Sequence, residues 1–389
     1  MRAVQMLQRQ FGLDLPGMHL ARARLLFAVV VTLLRSGRLS LTCLGRAIAT
    51  QTSPKHGIKR IDRLLGNQKL HREQVMVYRA IAKRLIAPGS RPVILVDWTA
   101  VTTTLWALVA AVCFDGRALI IYAETHPISR YLKPEVNASF LHQLALVLPP
   151  GCSPVVVADA GFRSPWMRLV ASFGWDYVVR ARAPAKVRRD KSESWVEIED
   201  VWRFTRSTPS DLGHFEIGRK VRHRCRFVGV RKRARRMARP AVRDHGTARQ
   251  LRNAREPWIL ATSLTSSAAN VVAIYRRRMQ IEETFRDAKS TRFGFCLSHA
   301  RTRSDNRGNV LVLLAALAHV VSVLLGTSGE SSGASRRFQA NTVTSRRVLS
   351  LAMLGRLMAS SSEDAILEQG LSPPCWTAFS SLAFRAVAA

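Results

Sequence analysis

RPVILVDW (residues 91–98) and PVVVADAGF (residues 154–162) decide how this chain folds. Each is an uninterrupted run of aliphatic and β-branched residues that ends in an acid, Asp97 in the first and Asp159 in the second. Such a run reads as a parallel strand buried on both faces, and open α/β sheets gather their ligands beyond the carboxyl ends of those strands. Between the two runs, LVAAVCF (108–114) and ALIIYAE (118–124) flank Asp115-Gly116 in the manner of a hairpin, and NASFLHQLALVLPP (137–150) has the spacing of an amphipathic helix. A helix near Trp166 and a strand in WDYVVRAR (175–182) follow. Three strands in a meander, then helix, strand, helix and strand, predict a mixed α/β sheet. Either aspartate alone reads as a loop residue at a strand end. Both together, in a chain with only 26 acids, point to one shared edge of the sheet.

The scarcity of acid is itself informative. Among 389 residues, 60 Lys and Arg stand against 26 Asp and Glu, a net charge of +34, and a field of that sign and size calls for a polyanionic partner. A hydrophobic content of 47% excludes a wholly disordered chain. The six cysteines, at 43, 113, 152, 225, 296 and 375, fall singly with no C-x-x-C pair, so neither a zinc ribbon nor a redox couple is indicated. Reduced thiols in a cytoplasmic protein are expected. Two apolar runs, Leu25 to Leu34 and Val310 to Leu325, are shorter than the roughly 20 residues of a bilayer span. The second is expected to be a buried helix or a subunit contact, and no membrane partner or targeting segment is expected.

Residues 1–90 read as helical. Within them, LTCLGRAIATQTSPKHGIKRIDRLLG (41–66) suggests two short helices broken around Thr52, Ser53 and Pro54, a layout compatible with a helix-turn-helix in which Lys55, Lys59, Arg60 and Arg63 face DNA. Past the sheet, WVEIEDVW (195–202) and HFEIGRKVRHRCRFVGV (214–230) alternate as strands do, and an arginine-rich stretch from Arg231 to Arg255 reads as a mobile basic loop. WILATSL (258–264) returns to strand composition, and the remainder is helical apart from GTSGESSGAS (326–335), which reads as a flexible segment.

YRRRMQIEETFRDAK (275–289) supplies the third acid. On one continuous helix, Tyr275, Arg278, Glu282 and Lys289 share an arc of about 60°, while Glu283 lies about 100° from Glu282. A solvated helix laced with i,i+4 charge pairs would look similar. Three carboxylates binding two divalent cations, beside side chains that hold flanking phosphates, would require these residue types together.

The series Tyr275-x2-Arg278-x3-Glu282-x6-Lys289 resembles the Y-R-E-K signature of the DDE transposases of the insertion-sequence-four group, with every spacing intact. KHGIKRIDRLLGN (55–67), VILVDW (93–98), ADAGFRSPW (158–166), EPWILATSL (256–264), RRMQIEETFRDAKS (277–290) and FQANTV (338–343) also look like segments of that group, in particular of its insertion-sequence-ten branch.

The resemblance implies a ribonuclease-H-like mixed-sheet core with a β-rich insertion, flanked by helical N- and C-terminal regions. The expected division is a helical DNA-binding region at 1–90, a first part of the core at 91–182, a basic β-rich insertion at 183–257, a second part with the glutamate-bearing helix at 258–326, and a helical region that could pair subunits at 327–389. It implies that Asp97, Asp159 and Glu282 are catalytic and bind two Mg²⁺ ions, with Mn²⁺ able to substitute. Tyr275, Arg278, Lys289 and Arg163 would hold DNA, with Lys59, Arg60 and Arg63 on the N-terminal helices. Trp258 would stack on a flipped base during hairpin formation, against the alternative of a packing residue in the core. The implied partners are transposon-end inverted repeats, target DNA and a second copy of the chain; the implied location is bacterial and nucleoid-associated. A two-metal nuclease without strand transfer, and a basic DNA-binding protein whose acids are structural, are the alternative functions.

Overall fold

A computed structural model describes residues 2–48, 53–231, 256–290, 295–297, 301–340, 342–343, 345–361 and 364–388. Five helices come first: α1 (Arg2–Gly12), α2 (Leu20–Ser36), α3 (Leu41–Ala47), α4 (Pro54–Leu65) and α5 (Gln68–Leu85). Next are β1 (Val93–Ala100), β2 (Leu105–Phe114), β3 (Arg117–Pro127), α6 (Pro134–Val147), β4 (Val155–Ala158), α7 (Ser164–Ser172) and β5 (Asp176–Ala181), the succession expected from the apolar runs. Strands β6 (Lys186–Arg188), β7 (Val196–Glu197), β8 (Ser210–Ile217), β9 (His223–Val230) and β10 (Trp258–Thr262) follow. The chain continues through α8 (Ala268–Arg276), α9 (Met279–Lys289), α10 (Asp305–Ser331), α11 (Leu351–Ser360), α12 (Asp364–Gly370) and α13 (Pro373–Val387). Two units emerge, one of Met1–Lys133, Ser139–Cys152 and Met279–Ala388, the other of Pro134–Ala138 and Ser153–Arg278.

In the first unit β2 is antiparallel to both β1 and β3. Val93, Ile94, Leu95 and Val96 have no exposed surface, so the continuous apolar run does mark a strand buried on both faces. Strand β1 pairs antiparallel with β2 and runs on past Asp97 to Ala100, with Asp97 opposite Val109. Burial of each such aliphatic side chain contributes about 1.5–3 kcal/mol. Helix α9 packs on the meander, and α10 packs on β3, α2, α5 and α11. Among the described residues α10 is one helix long and apolar enough to cross a membrane, yet 94% of its most apolar window is buried inside the protein. It is a core helix.

The second unit has the strand order β4-β5-β10-β9-β8-β6-β7. Only β4 and β5 are parallel there, joined by the crossover helix α7, and every other neighbouring pair is antiparallel. The β-rich segment after Arg182 therefore extends the sheet through β9 and β10. The arginine-rich stretch lies outside the described residues from 232 to 255.

Two sequence expectations are corrected. The stretch 275–289 is not one helix: α8 stops at Arg276, Arg277 and Arg278 form a turn, and α9 starts at Met279. Tyr275 thus belongs to α8 and Arg278 to the turn, and only Glu282 and Lys289 share one helix, two turns apart. Nor is 326–335 a flexible linker, because α10 runs through Ser331. A Cβ at Gly326 would fall on the Leu351 carbonyl, and one at Gly355 on the Ser322 carbonyl. These glycines let two helix backbones touch.

The N-terminal pair of short helices is present as α3 and α4, with Pro54 in the first turn of α4. They too meet through glycine, since a Cβ at Gly57 would fall on the Gly45 carbonyl. Ser53 occupies the N-cap but bonds the His56 ring at 2.9 Å instead of the backbone. Lys55, Lys59, Arg60 and Arg63 are all exposed, while Ile61, Leu64 and Leu65 are buried.

Candidate active site

The first unit holds Asp97, Glu282 and Lys289. Asp97 is half-buried on β1, and its Oδ1 accepts the Trp98 N–H at 2.8 Å, which fixes one side of the carboxylate. Glu282 and Lys289 project from α9, both half-buried. Burial pushes the Lys289 ammonium below the usual lysine range, and the charge of Asp97 pulls it back up, so the two groups feel each other across the β1–α9 contact.

The pose of α9 comes from residues that sequence reasoning passed over. Thr284 is 1% exposed and its Oγ1 meets both backbone groups of Ala118 on β3. About one helical turn further on, Asp287 Oδ2 accepts from Arg117 Nε at 2.6 Å. A threonine inside a helix is a weak signal by itself, because its hydroxyl more often bonds the preceding turn; here it also bonds Gln280.

The second unit holds Asp159, Tyr275, Arg278, Trp258 and Arg163. Asp159 directly follows β4, half-buried, and its carbonyl closes a turn with the Phe162 N–H at 3.1 Å. The Tyr275 hydroxyl on α8 donates to Asp159 Oδ1 at 3.4 Å. Burial and the Asp159 charge raise the pKa of this phenol, against the opposing pull of Arg278 and Arg180, so it stays a neutral donor. Trp258, 8% exposed, packs edge-to-face on Tyr275 with centroids 4.9 Å apart. Arg163 is exposed at the N-cap of α7. Arg180, on β5, was not singled out by pattern; Glu256 holds it at 3.3 Å and also takes Arg182.

The donor set Asp97, Asp159 and Glu282 is all carboxylate oxygen, the chemistry suited to hard divalent cations. Among the described residues, however, no three His, Cys, Asp or Glu side chains are grouped so as to hold a metal ion. The donors fit such a cation by type.

Strand-borne and helix-borne carboxylates with a cation or a phenol at hand, in a strongly cationic α/β protein, are groups suited to acting on phosphodiesters. The family model described as the transposase DDE domain matches residues 88–320, more than half of the chain and a range that spans 275–289, and the chain belongs to that family. It is a DDE transposase, an endonuclease of DNA transposition and recombination, and enzymes of this family generally use divalent metals. A search of curated proteins found no match.

Proposed function

We propose that the chain is a cut-and-paste transposase of the insertion-sequence-four group, of the insertion-sequence-ten branch, with a ribonuclease-H-like core. One observation carries this reading: the Tyr275 hydroxyl of the signature series donates to Asp159, and the Lys289 ammonium of the same series feels the charge of Asp97. Chance placement of the series would not bring Tyr275 to one strand-end acid and Lys289 under the charge of the other.

In this reading Asp97, Asp159 and Glu282 would hold Mg²⁺, or Mn²⁺ in its place; bound there, the metal would supply charge neutralisation at the scissile phosphate and lower the pKa of attacking water. The chain's own groups do the rest. Lys289 and Arg278 hold non-bridging phosphate oxygens as cations, and the neutral Tyr275 phenol donates a hydrogen bond to Asp159 that keeps its carboxylate oriented. Arg163 and the exposed face of α4, with Lys59, Arg60 and Arg63, bind the terminal inverted repeats. Trp258 faces the base that leaves the stack as the cleaved strand forms a hairpin, and the freed 3′-OH then joins target DNA. Two copies of the chain pair two ends, with the C-terminal helices between them.

The deciding experiment incubates the full chain with Mg²⁺ and DNA carrying the repeats that flank its reading frame. Nicked, hairpin and joined products are expected from the wild type, and none from D97N, D159N or E282Q, each still binding the end. An active E282Q protein would overturn the assignment, and cleavage without joining would favour a nuclease.

A further inference from the structure

A cleft of about 730 Å³ opens in the first unit, with neither Asp97 nor Glu282 among its described lining residues. Its wall carries three guanidinium groups, Arg38, Arg301 and Arg307, with the hydroxyls of Ser40, Thr42 and Thr302 among them. Among the described residues lining it, none is acidic. Arg38 and Arg301 are exposed, and among the described residues no carboxylate pairs with either. Arg307 is half-buried and donates to Asp62 at 2.6 Å. Leu65 and Leu311 give the cleft an apolar side.

Three cations, three hydroxyls and a short apolar wall match one chemistry: a chain of phosphates joined by sugars, in which charge and apolar faces alternate. A small free anion would use the guanidinium groups and leave the apolar side and most of the volume empty. The cleft is also continuous with the basic helix, because Leu65 at the end of α4 lines it and Asp62 of α4 grips Arg307. The exposed Lys59, Arg60 and Arg63 lie on that same helix.

We infer that this cleft receives the sugar-phosphate backbone of DNA, as the continuation of the track begun by α4, an inference that rests on the reading of α4 as a DNA-binding helix. Arg38 and Arg301 pair with successive phosphates, Ser40, Thr42 and Thr302 donate to their oxygens, and Asp62 keeps Arg307 facing the cleft. None of these contacts reads base identity, so the cleft adds affinity and sets the path of the duplex.

The test uses the full chain and a fluorescein-labelled mixed-sequence duplex, with anisotropy titrations over a series of NaCl concentrations. Each lost phosphate contact flattens the log Kd against log salt slope by about 0.9, so R38A/R301A should lower it by about 1.8, and R38K/R301K should retain it. Because the lysine variant keeps charge on the same stems, its retained slope separates lost contacts from misfolding. Cys43 lines the cleft and is half-exposed, so bound duplex should slow its alkylation several-fold while leaving Cys375, also half-exposed, unchanged. An unchanged slope for a folded R38A/R301A protein, or Cys43 alkylation indifferent to DNA, would overturn the inference. Saturation of Cys43 protection by inorganic phosphate alone, with no further effect of duplex, would do the same. K59A/R60A/R63A tests the underlying reading separately: a slope lost there and kept in R38A/R301A leaves α4 on DNA and removes the cleft.

Discussion

Thr284 Oγ1 accepts the Ala118 N–H at 2.8 Å and lies 3.0 Å from the Ala118 carbonyl, so one hydroxyl of α9 meets both backbone groups of one β3 residue. Its position two residues from Glu282 makes it the clamp that sets where that carboxylate points. Replacement by Val preserves shape and leaves a buried N–H without its partner, a loss of about 1–3 kcal/mol. T284V should therefore lower the urea midpoint and reduce cleavage, whereas T284S should restore both. A T284V protein with wild-type stability would remove the clamp.

Tyr275→Phe keeps the ring against Trp258 and deletes only the hydroxyl beside Asp159. Hydrogen bonds to charged groups contribute about 1.5–3 kcal/mol, so strand cleavage should fall on the order of 10- to 100-fold with little change in Tm. Single-turnover nicking measures it, and an unchanged rate would show the phenol to be a packing group.

Trp258 is buried against the same tyrosine, which gives it two separable roles. If it also stacks on an extruded base, W258A should still nick while hairpin yield drops several-fold, and W258F should recover most of the yield. Nicking and hairpin formation followed on one labelled end separate the cases. Parallel loss of both steps would leave Trp258 only as support for Tyr275.

Gly355 tests the closeness of the C-terminal helices. A side chain at that position meets the Ser322 carbonyl of α10, and overpacking of this kind costs about 1–3 kcal/mol. G355V should lower Tm measurably, while Gly333, with φ +75 and open space around its missing Cβ, should tolerate Asn. Equal tolerance at both positions would contradict the close approach of α10 and α11.

His319 should make stability depend on pH. Burial pushes its imidazole down to about 4, Arg117 adds to that effect, and Asp287 opposes it. Arg356 borders the same small cavity, and among the described residues His319 Nε2 has no hydrogen-bond partner. The unfolded chain takes up its proton near 6.5, before the folded one does, so the contribution is complete above pH 6.5 and is lost as pH falls toward about 4. Within that window the slope approaches 1.4 kcal/mol per pH unit, roughly the value of one bound proton. Urea midpoints of wild type and H319L between pH 7 and 4.5 should diverge; parallel curves would contradict the shift.

The order of strands and helices through residue 182 was legible because apolar runs and turn residues act locally, and each run can be matched to one buried strand. The signature series was legible for a similar reason: residue type and spacing are written in the chain. Glycine was misread in 326–335, where composition suggests freedom but the neighbouring helix uses the absent Cβ for close contact. The break at Arg277 and Arg278 was invisible as well, since no proline or glycine marks it and arginine is a good helix former.

Sequence alone determined the strongly cationic character, the buried strands carrying Asp97 and preceding Asp159, and the family series ending at Lys289. Tertiary structure decided which groups act on which: Lys289 under the charge of Asp97, Tyr275 on Asp159, Thr284 on Ala118, and three arginines around one cleft. The physical reason is range, because backbone propensity and hydrophobic period act over a few residues, whereas these pairings depend on sheet register and helix packing between segments more than 100 residues apart.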